Sequence, residues 1–251
     1  MRVAIMQPTF LPWSGYFHLM TEVDCFVFLD DVQLQKPSWQ TRNRILFRGE
    51  PHFLTLPTRG CRHQLISETR LADEPFREKH LEVLRHAYGK HPHGALVLSL
   101  LRDVYADRTL SLLADLNERF IRSMARLLQI SPTFVRASEL MASGKRSTHL
   151  LELLERLGSR NYLSARGSAA YIEEEGVLEE AGVAVVYQDY PVRPYAQLGT
   201  SEFVSHLSIL DVLAHLGPEA TARYVRAREP AEPEPRAALD HARETRAPAP
   251  P

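Results

Sequence analysis

Residues able to bind or react are densest between Gln7 and Arg44. Gln7 follows directly on the apolar run Val3-Ala4-Ile5-Met6, and an amide at the end of a buried strand normally has something to hold. Gly15 and Tyr16 sit where the next helix should begin, and the free backbone N–H groups of a helix's first turn attract phosphate or carboxylate. Asp30 and Asp31 end a second apolar run, Cys25 to Leu29. A carboxylate there could bind a ribose hydroxyl, act as a base, or hold a divalent cation through oxygen. Lys36, Arg42, Asn43 and Arg44 surround Trp39. The guanidinium fork suits phosphate or carboxylate, and the indole offers a stacking face to a base or sugar. Plainer readings stand beside these: a turn stiffened by Pro8 and Pro12, a solvated acidic turn, a charged surface, or an Arg42 that pairs with Asp24, Asp30 or Asp31.

Further along, Tyr162-Leu163-Ser164 runs into the small-residue turn Ala165-Arg166-Gly167-Ser168. Ser164 lacks the G-x-S-x-G surroundings of an esterase nucleophile, and a ligand contact through Ser164 or the Gly167 backbone is the more credible role. Tyr195 and Gln197 lie in a stretch without regular pattern and suit a lid or pocket wall, or a packed surface loop. The 11 histidines are scattered, with neither H-E-x-x-H nor closely spaced cysteine partners, so no zinc site is expected.

The elements that must position these groups alternate. Strands are expected at Val3 to Met6, Cys25 to Leu29, Thr133 to Ala137, Asn161 to Ser164 and Val183 to Tyr187. A hairpin fits Arg44 to Pro57, with Gly49 and Pro51 marking its turn. Helices fit Ser14 to Val23, a stretch starting at Asp73-Glu74-Pro75 and running to about Gly89, His93 to Tyr105, Leu110 to Leu128 and Thr148 to Leu157. Ser208-Ile209-Leu210-Asp211 has the spacing of a capping box, opening a helix to His215 and Gly217. The expected fold is α/β: a mainly parallel, Rossmann-like sheet with a central helical insertion at about 73–130. It forms one domain over 1–228, followed by a disordered Pro-, Ala-, Glu- and Arg-rich tail at 229–251. In such sheets ligands sit where strand ends deliver loops.

With 251 residues, 44% of them hydrophobic, the chain can bury a full core. A net charge of −1 gives no general attraction to nucleic acid or anionic membrane. No apolar run approaches the roughly 20 residues of a membrane helix. The start carries no charged-then-apolar leader, and the two cysteines, Cys25 and Cys61, make no disulfide framework. The expected location is the cytoplasm.

Two resemblances sharpen this. Thr9-Phe10-x-Pro12…Gly15-Tyr16-x-His18 is similar to the phosphate-binding loop of nucleotidylyltransferase-fold adenylyltransferases, with Gly-Tyr in place of Gly-His. Ser143-Gly144-Lys145-Arg146-Ser147-Thr148 resembles their second, Lys- and Ser-bearing loop, and a helix cap explains it equally well. Over nearly the whole chain, Val3 to Gly217, the sequence resembles the WbqC-like family of bacterial proteins. Gln7-Pro8, Pro12, Gly15-Tyr16-Phe17, Asp24, Asp30, Val32-Gln33, Lys36, Trp39, Arg42-Asn43-Arg44 and Leu54-Thr55-Leu56-Pro57 carry it. Tyr162-Leu163-Ser164, Tyr171, Tyr195, Gln197, Phe203 and Ser208 to Asp211 complete it. Ala165-Arg166-Gly167 departs from the Ser-Gly start more usual there.

That resemblance implies a cytoplasmic enzyme of polysaccharide, O-antigen or specialised-metabolite biosynthesis. The expected activity is a transferase or ligase for a small phosphate- or carboxylate-bearing substrate, such as a nucleotide-linked sugar or activated acyl group. The alternative is a non-catalytic protein recognising a pathway intermediate or partner enzyme. Asp30, Asp31, Tyr16 and Lys36 are the expected catalytic groups. Gln7, Pro8, Gly15, Gln33, Trp39, Arg42, Asn43, Ser164, Gly167, Tyr195 and Gln197 are the expected substrate contacts. The cofactor is open, a nucleotide with a divalent cation being one candidate.

Overall fold

A computed structural model describes residues 1–35, 37–60 and 63–227. Lys36 and the expected tail lie outside the described residues. The chain begins with β1 (Arg2–Met6), α1 (Ser14–Thr21) and β2 (Cys25–Phe28). Two small antiparallel pairs follow, β3 (Arg42–Phe47) with β4 (Glu50–Thr55) and β5 (Thr58–Arg59) with β6 (Arg70–Leu71). Next come α2 (Phe76–Tyr88), α3 (Gly94–Ala106) and α4 (Leu113–Leu127), then β7 (Thr133–Arg136), α5 (Ala137–Leu140) and α6 (Arg146–Arg156). β8 (Asn161–Ser164), a 3-10 turn (Arg166–Ser168), α7 (Ala169–Glu175), α8 (Val177–Glu180), β9 (Ala184–Tyr187) and α9 (Ile209–Val225) complete the order.

The main sheet has five strands in the order β7-β2-β1-β8-β9, all parallel. Its strands are short apolar runs because both faces are covered. Val3, Ile5, Cys25, Val27 and Tyr162 pack with Leu150, Leu153, Ile172 and Leu178 of α6, α7 and α8. The alternate positions Ala4, Phe26, Phe28 and Leu163 join a second core with α1, α2, α3, α4 and α9. This period of two places helices on both faces, the doubly wound arrangement. The chain moves from β1 outward to β2 and β7, then returns to the other side of β1 as β8 and β9. The direction therefore switches between β1 and β8, the position at which such sheets open a crevice at their C-terminal edge.

The expected helical insertion is present as α2 to α4, between β6 and β7. Some boundaries differ from expectation. The hairpin strand starts at Arg42, so Arg42 and Asn43 belong to a strand rather than to the preceding loop. Arg48 (φ 55°) and Gly49 (φ 83°) form its two-residue turn, where both residues need positive φ to match the twist of the strands. α9 runs past Gly217, which breaks it with φ 75°, and resumes at Pro218. A Cβ at Gly217 would lie 2.6 Å from the His93 ring, so close packing as well as backbone geometry selects glycine there.

Candidate functional site

At the end of β1 the chain enters a loop whose carbonyls are tied down one after another. Tyr16 Oη donates to the Gln7 carbonyl at 3.0 Å. Asn117 Nδ2, from α4, donates to the carbonyls of Pro8 (2.9 Å) and Gln40 (2.8 Å). Asn43 Nδ2, from β3, donates to those of Phe10 and Leu11, both at 3.0 Å, while its Oδ1 accepts from the Arg44 N–H at 2.8 Å. The Ile209 N–H donates to the Pro12 carbonyl at 2.8 Å, and the Phe10 N–H to the Trp39 carbonyl at 2.9 Å. Leu11 is thereby held at φ 42°, a conformation such a side chain avoids when free. Pro8 and Pro12 bring no N–H that would need a partner.

This fixed loop forms one wall of a cleft of about 330 Å³, a volume within the range of small-molecule sites. Met6 and Thr9 line it from the end of β1, and Trp13 and Tyr16 from the start of α1. Trp39, Asn43 and Arg44 of β3, and His206 complete the lining. Gly15 has a packing reason here. A Cβ would lie 2.2 Å from Cζ2 of Trp13, so only glycine lets the indole lie across the first turn of α1. The Gly15 carbonyl accepts from Gln188 Nε2 at 2.7 Å.

Arg44 is the cation of the cleft. Its guanidinium lies 5.9 Å from the Trp39 ring, Nη2 donates to the His206 carbonyl at 3.4 Å, and Nε is buried with no hydrogen-bond partner. Arg42 instead covers Phe53, with Cζ 4.6 Å from the ring centroid, and is not among the cleft-lining residues. None of the ion pairs among the described residues involves either arginine. The acids that could have held Arg42 have other partners: Asp24 accepts from the Arg2 N–H at 2.7 Å, and Asp30 and Asp31 are engaged as described next.

Asp30 is buried and faces α5, accepting from the Ser138 N–H (3.0 Å) and Oγ (2.8 Å). Burial pushes its carboxyl up, opposed by those two bonds. Asp31 Oδ1 lies 3.1 Å from His149 Nε2 on α6, and that bond pushes the imidazole up. Neither acid lines the cleft, although both leave the same sheet edge as Gln7. Tyr16 does line it, but its hydroxyl hydrogen is on Gln7 and burial pushes its ionisation well up. It cannot serve as a base near neutrality in that state.

The remaining expected contacts are spread out. Gln33 is exposed and pairs through its backbone with Leu65. Ser164 is buried at the end of β8, its Oγ donating to the Ala165 carbonyl at 3.3 Å. Gly167 is exposed, and a Cβ there would meet nothing within 4 Å. Tyr195 and Gln197 point at Asp211, a fully buried carboxylate on α9. Tyr195 Oη (2.5 Å) and Gln197 Nε2 (2.9 Å) donate to Oδ2, and Tyr88 Oη (3.0 Å) donates to Oδ1. The expected capping box is thus half present: Ser208 Oγ accepts from the Leu210 N–H, while Asp211 turns to the two tyrosines and Gln197. His18, the histidine of the adenylyltransferase-like motif, bonds the Val225 carbonyl at 2.9 Å and stacks on Tyr190.

The sheet and cleft define a doubly wound α/β protein with a cleft of small-molecule size beside its central strand. The sequence profile of the WbqC-like protein family matches residues 7–223, and the chain belongs to that family. It is 31% identical over 222 residues to Uncharacterized protein Rv1507c of Mycobacterium tuberculosis, an alignment covering 87% of this chain and 95% of that protein. No solved structure matches it. Among the described residues, no helix is long and apolar enough to cross a membrane.

Proposed function

We propose that this protein is a transferase or ligase whose cleft binds a small phosphate- or carboxylate-bearing substrate, of the nucleotide-linked sugar or activated acyl type. One observation carries the reading. Arg44 lines a cleft walled by Trp13 and Trp39 and forms no ion pair among the described residues. A guanidinium without a carboxylate partner can give its N–H donors to an incoming anion. The indoles supply flat apolar faces for the body of the ligand. Transfer of an activated group needs positioning and charge stabilisation more than a covalent nucleophile.

The test is a thermal-shift screen of nucleotides, sugar nucleotides and acyl donors, followed by affinity and turnover measurements on variants. Arg44→Ala should weaken anion binding by about 1.5–3 kcal/mol, the worth of a charge-assisted hydrogen bond, with little change in melting temperature. Arg42→Ala should weaken it much less. Equal effects of the two substitutions would remove Arg44 from its special place. Recognition without turnover is a second reading, favoured by the engagement of Asp30, Asp31 and Tyr16 with protein partners. Ligand binding without product from any donor–acceptor pair would select it.

A further inference from the structure

Residues 188–207 form no helix or strand, yet the end of this strap is clamped. Gln197 grips Val204 from both sides, Nε2 donating to its carbonyl (3.0 Å) and Oε1 accepting from its N–H (2.8 Å). Gln197 and Tyr195 are anchored in turn on buried Asp211. Beyond the strap, the Ser208 N–H donates to the Arg44 carbonyl at 2.8 Å.

Between these anchors His206 sits at φ 57°, in the left-handed region. A side chain stays there only when its surroundings impose it, and such residues gather at functional sites. The imposed geometry lays the imidazole beside Trp13, ring centroids 4.8 Å apart, in the lining of the cleft. Its Nδ1 lies 2.9 Å from Ser205 Oγ. Its backbone carbonyl accepts from Arg44 Nη2, which ties the Arg44 side chain to the strap, 162 positions away, at the same cleft. No carboxylate is among the lining residues to neutralise the guanidinium.

We propose that His206 is the second anion contact of the cleft: with Arg44, from β3, it makes a two-point seat for an anionic group, while the ligand's planar body lies against Trp13 and Trp39. This rests on the anion-binding reading above and adds a second contact, supplied by the strap. From α1, Tyr16 faces the cleft with its hydroxyl on Gln7, and Tyr190 packs on Trp13 with His18 stacked behind it.

The chain has two tryptophans and both line this cleft, so tryptophan fluorescence reports on it alone. An aromatic anion seated against the indoles should change that emission, and the change gives its affinity. With p-toluenesulfonate as the probe, a ring bearing an anion, His206→Asn should bind about tenfold more weakly than wild type, asparagine being chosen because it tolerates the left-handed conformation. Arg44→Ala should bind about tenfold or more weakly as well. If His206→Asn binds as wild type does while Arg44→Ala is weakened, the role of His206 is overturned and the anion cleft stands. If millimolar probe leaves wild-type fluorescence unchanged, the anion cleft falls and His206 with it. A His206→Gln variant of unchanged melting temperature guards against a conformational effect of asparagine.

Discussion

His80 lies with Nε2 3.1 Å from the Thr55 carbonyl and Nδ1 2.9 Å from Tyr105 Oη. Nε2 must therefore donate and Nδ1 accept, which is the neutral ring. Burial pushes its pKa down to about 4. The unfolded chain takes up this proton first, so the stabilisation is complete above about pH 6.5 and is lost as pH falls towards the folded value. Over that interval the loss is about 3 kcal/mol. His149 works in the opposite sense: its bond to Asp31 raises it, so its contribution is present below about pH 6.5 and lost as pH rises through the folded value. Denaturation midpoints measured against pH should be shallower on the acid side for His80→Gln than for wild type, and shallower on the alkaline side for His149→Gln. Profiles parallel to wild type would refute the assignment of either ring.

The loop of residues 7–13 behaves as an element in its own right, held by side-chain amides instead of by a ladder. Asn43→Ala removes the donor of two carbonyls and the acceptor of the Arg44 N–H. Leaving such buried groups unpaired costs about 1–3 kcal/mol each, so a fall in stability of at least about 2 kcal/mol is expected. Asn117→Ala should cost a similar amount through Pro8 and Gln40, although it is far from the loop in sequence. Urea midpoints within error of wild type would show that the loop holds without them. The parallel strands, α2 to α4 and the β3–β4 hairpin were legible because apolar periodicity and turn residues report local geometry. β5 and β6, two residues each, carry no such period. Asn43 was legible as a polar residue of interest, but the direction of its amide is set by Phe10 and Leu11. Asp211 fitted a capping box by spacing, and no local pattern could reveal Tyr88, Tyr195 and Gln197 waiting for it. His206 sits in a stretch with no period at all, so nothing in the sequence singled it out.

At the scale of the molecule, the cleft is assembled from segments far apart in the chain, tied together by one buried side chain. Asp211 joins α9 to Tyr88 of α2 and to the strap, which in turn presents His206 to a cleft opened by β1. Asp211→Ala would leave the Tyr88 and Tyr195 hydroxyls without an acceptor, at about 1–3 kcal/mol each where they stay buried, while Gln197 keeps only the Val204 carbonyl. It should lower the melting temperature, open 190–207 to limited proteolysis, and shift tryptophan emission to the red. Digestion as slow as in wild type would mean the strap is held by something other than this carboxylate.

The carbonyl of Pro12 waits for the N–H of Ile209, that of Arg44 for the N–H of Ser208, and β1 for β8 as its second neighbour. On the ribosome, at roughly 5–20 residues per second, those partners emerge on the order of 10–40 s after the segment they complete. Throughout that interval the nascent N-terminal region carries its recognisable motif without the partners that shape it. A stalled or truncated product ending before residue 208 would therefore display the sequence of the cleft without being able to form it.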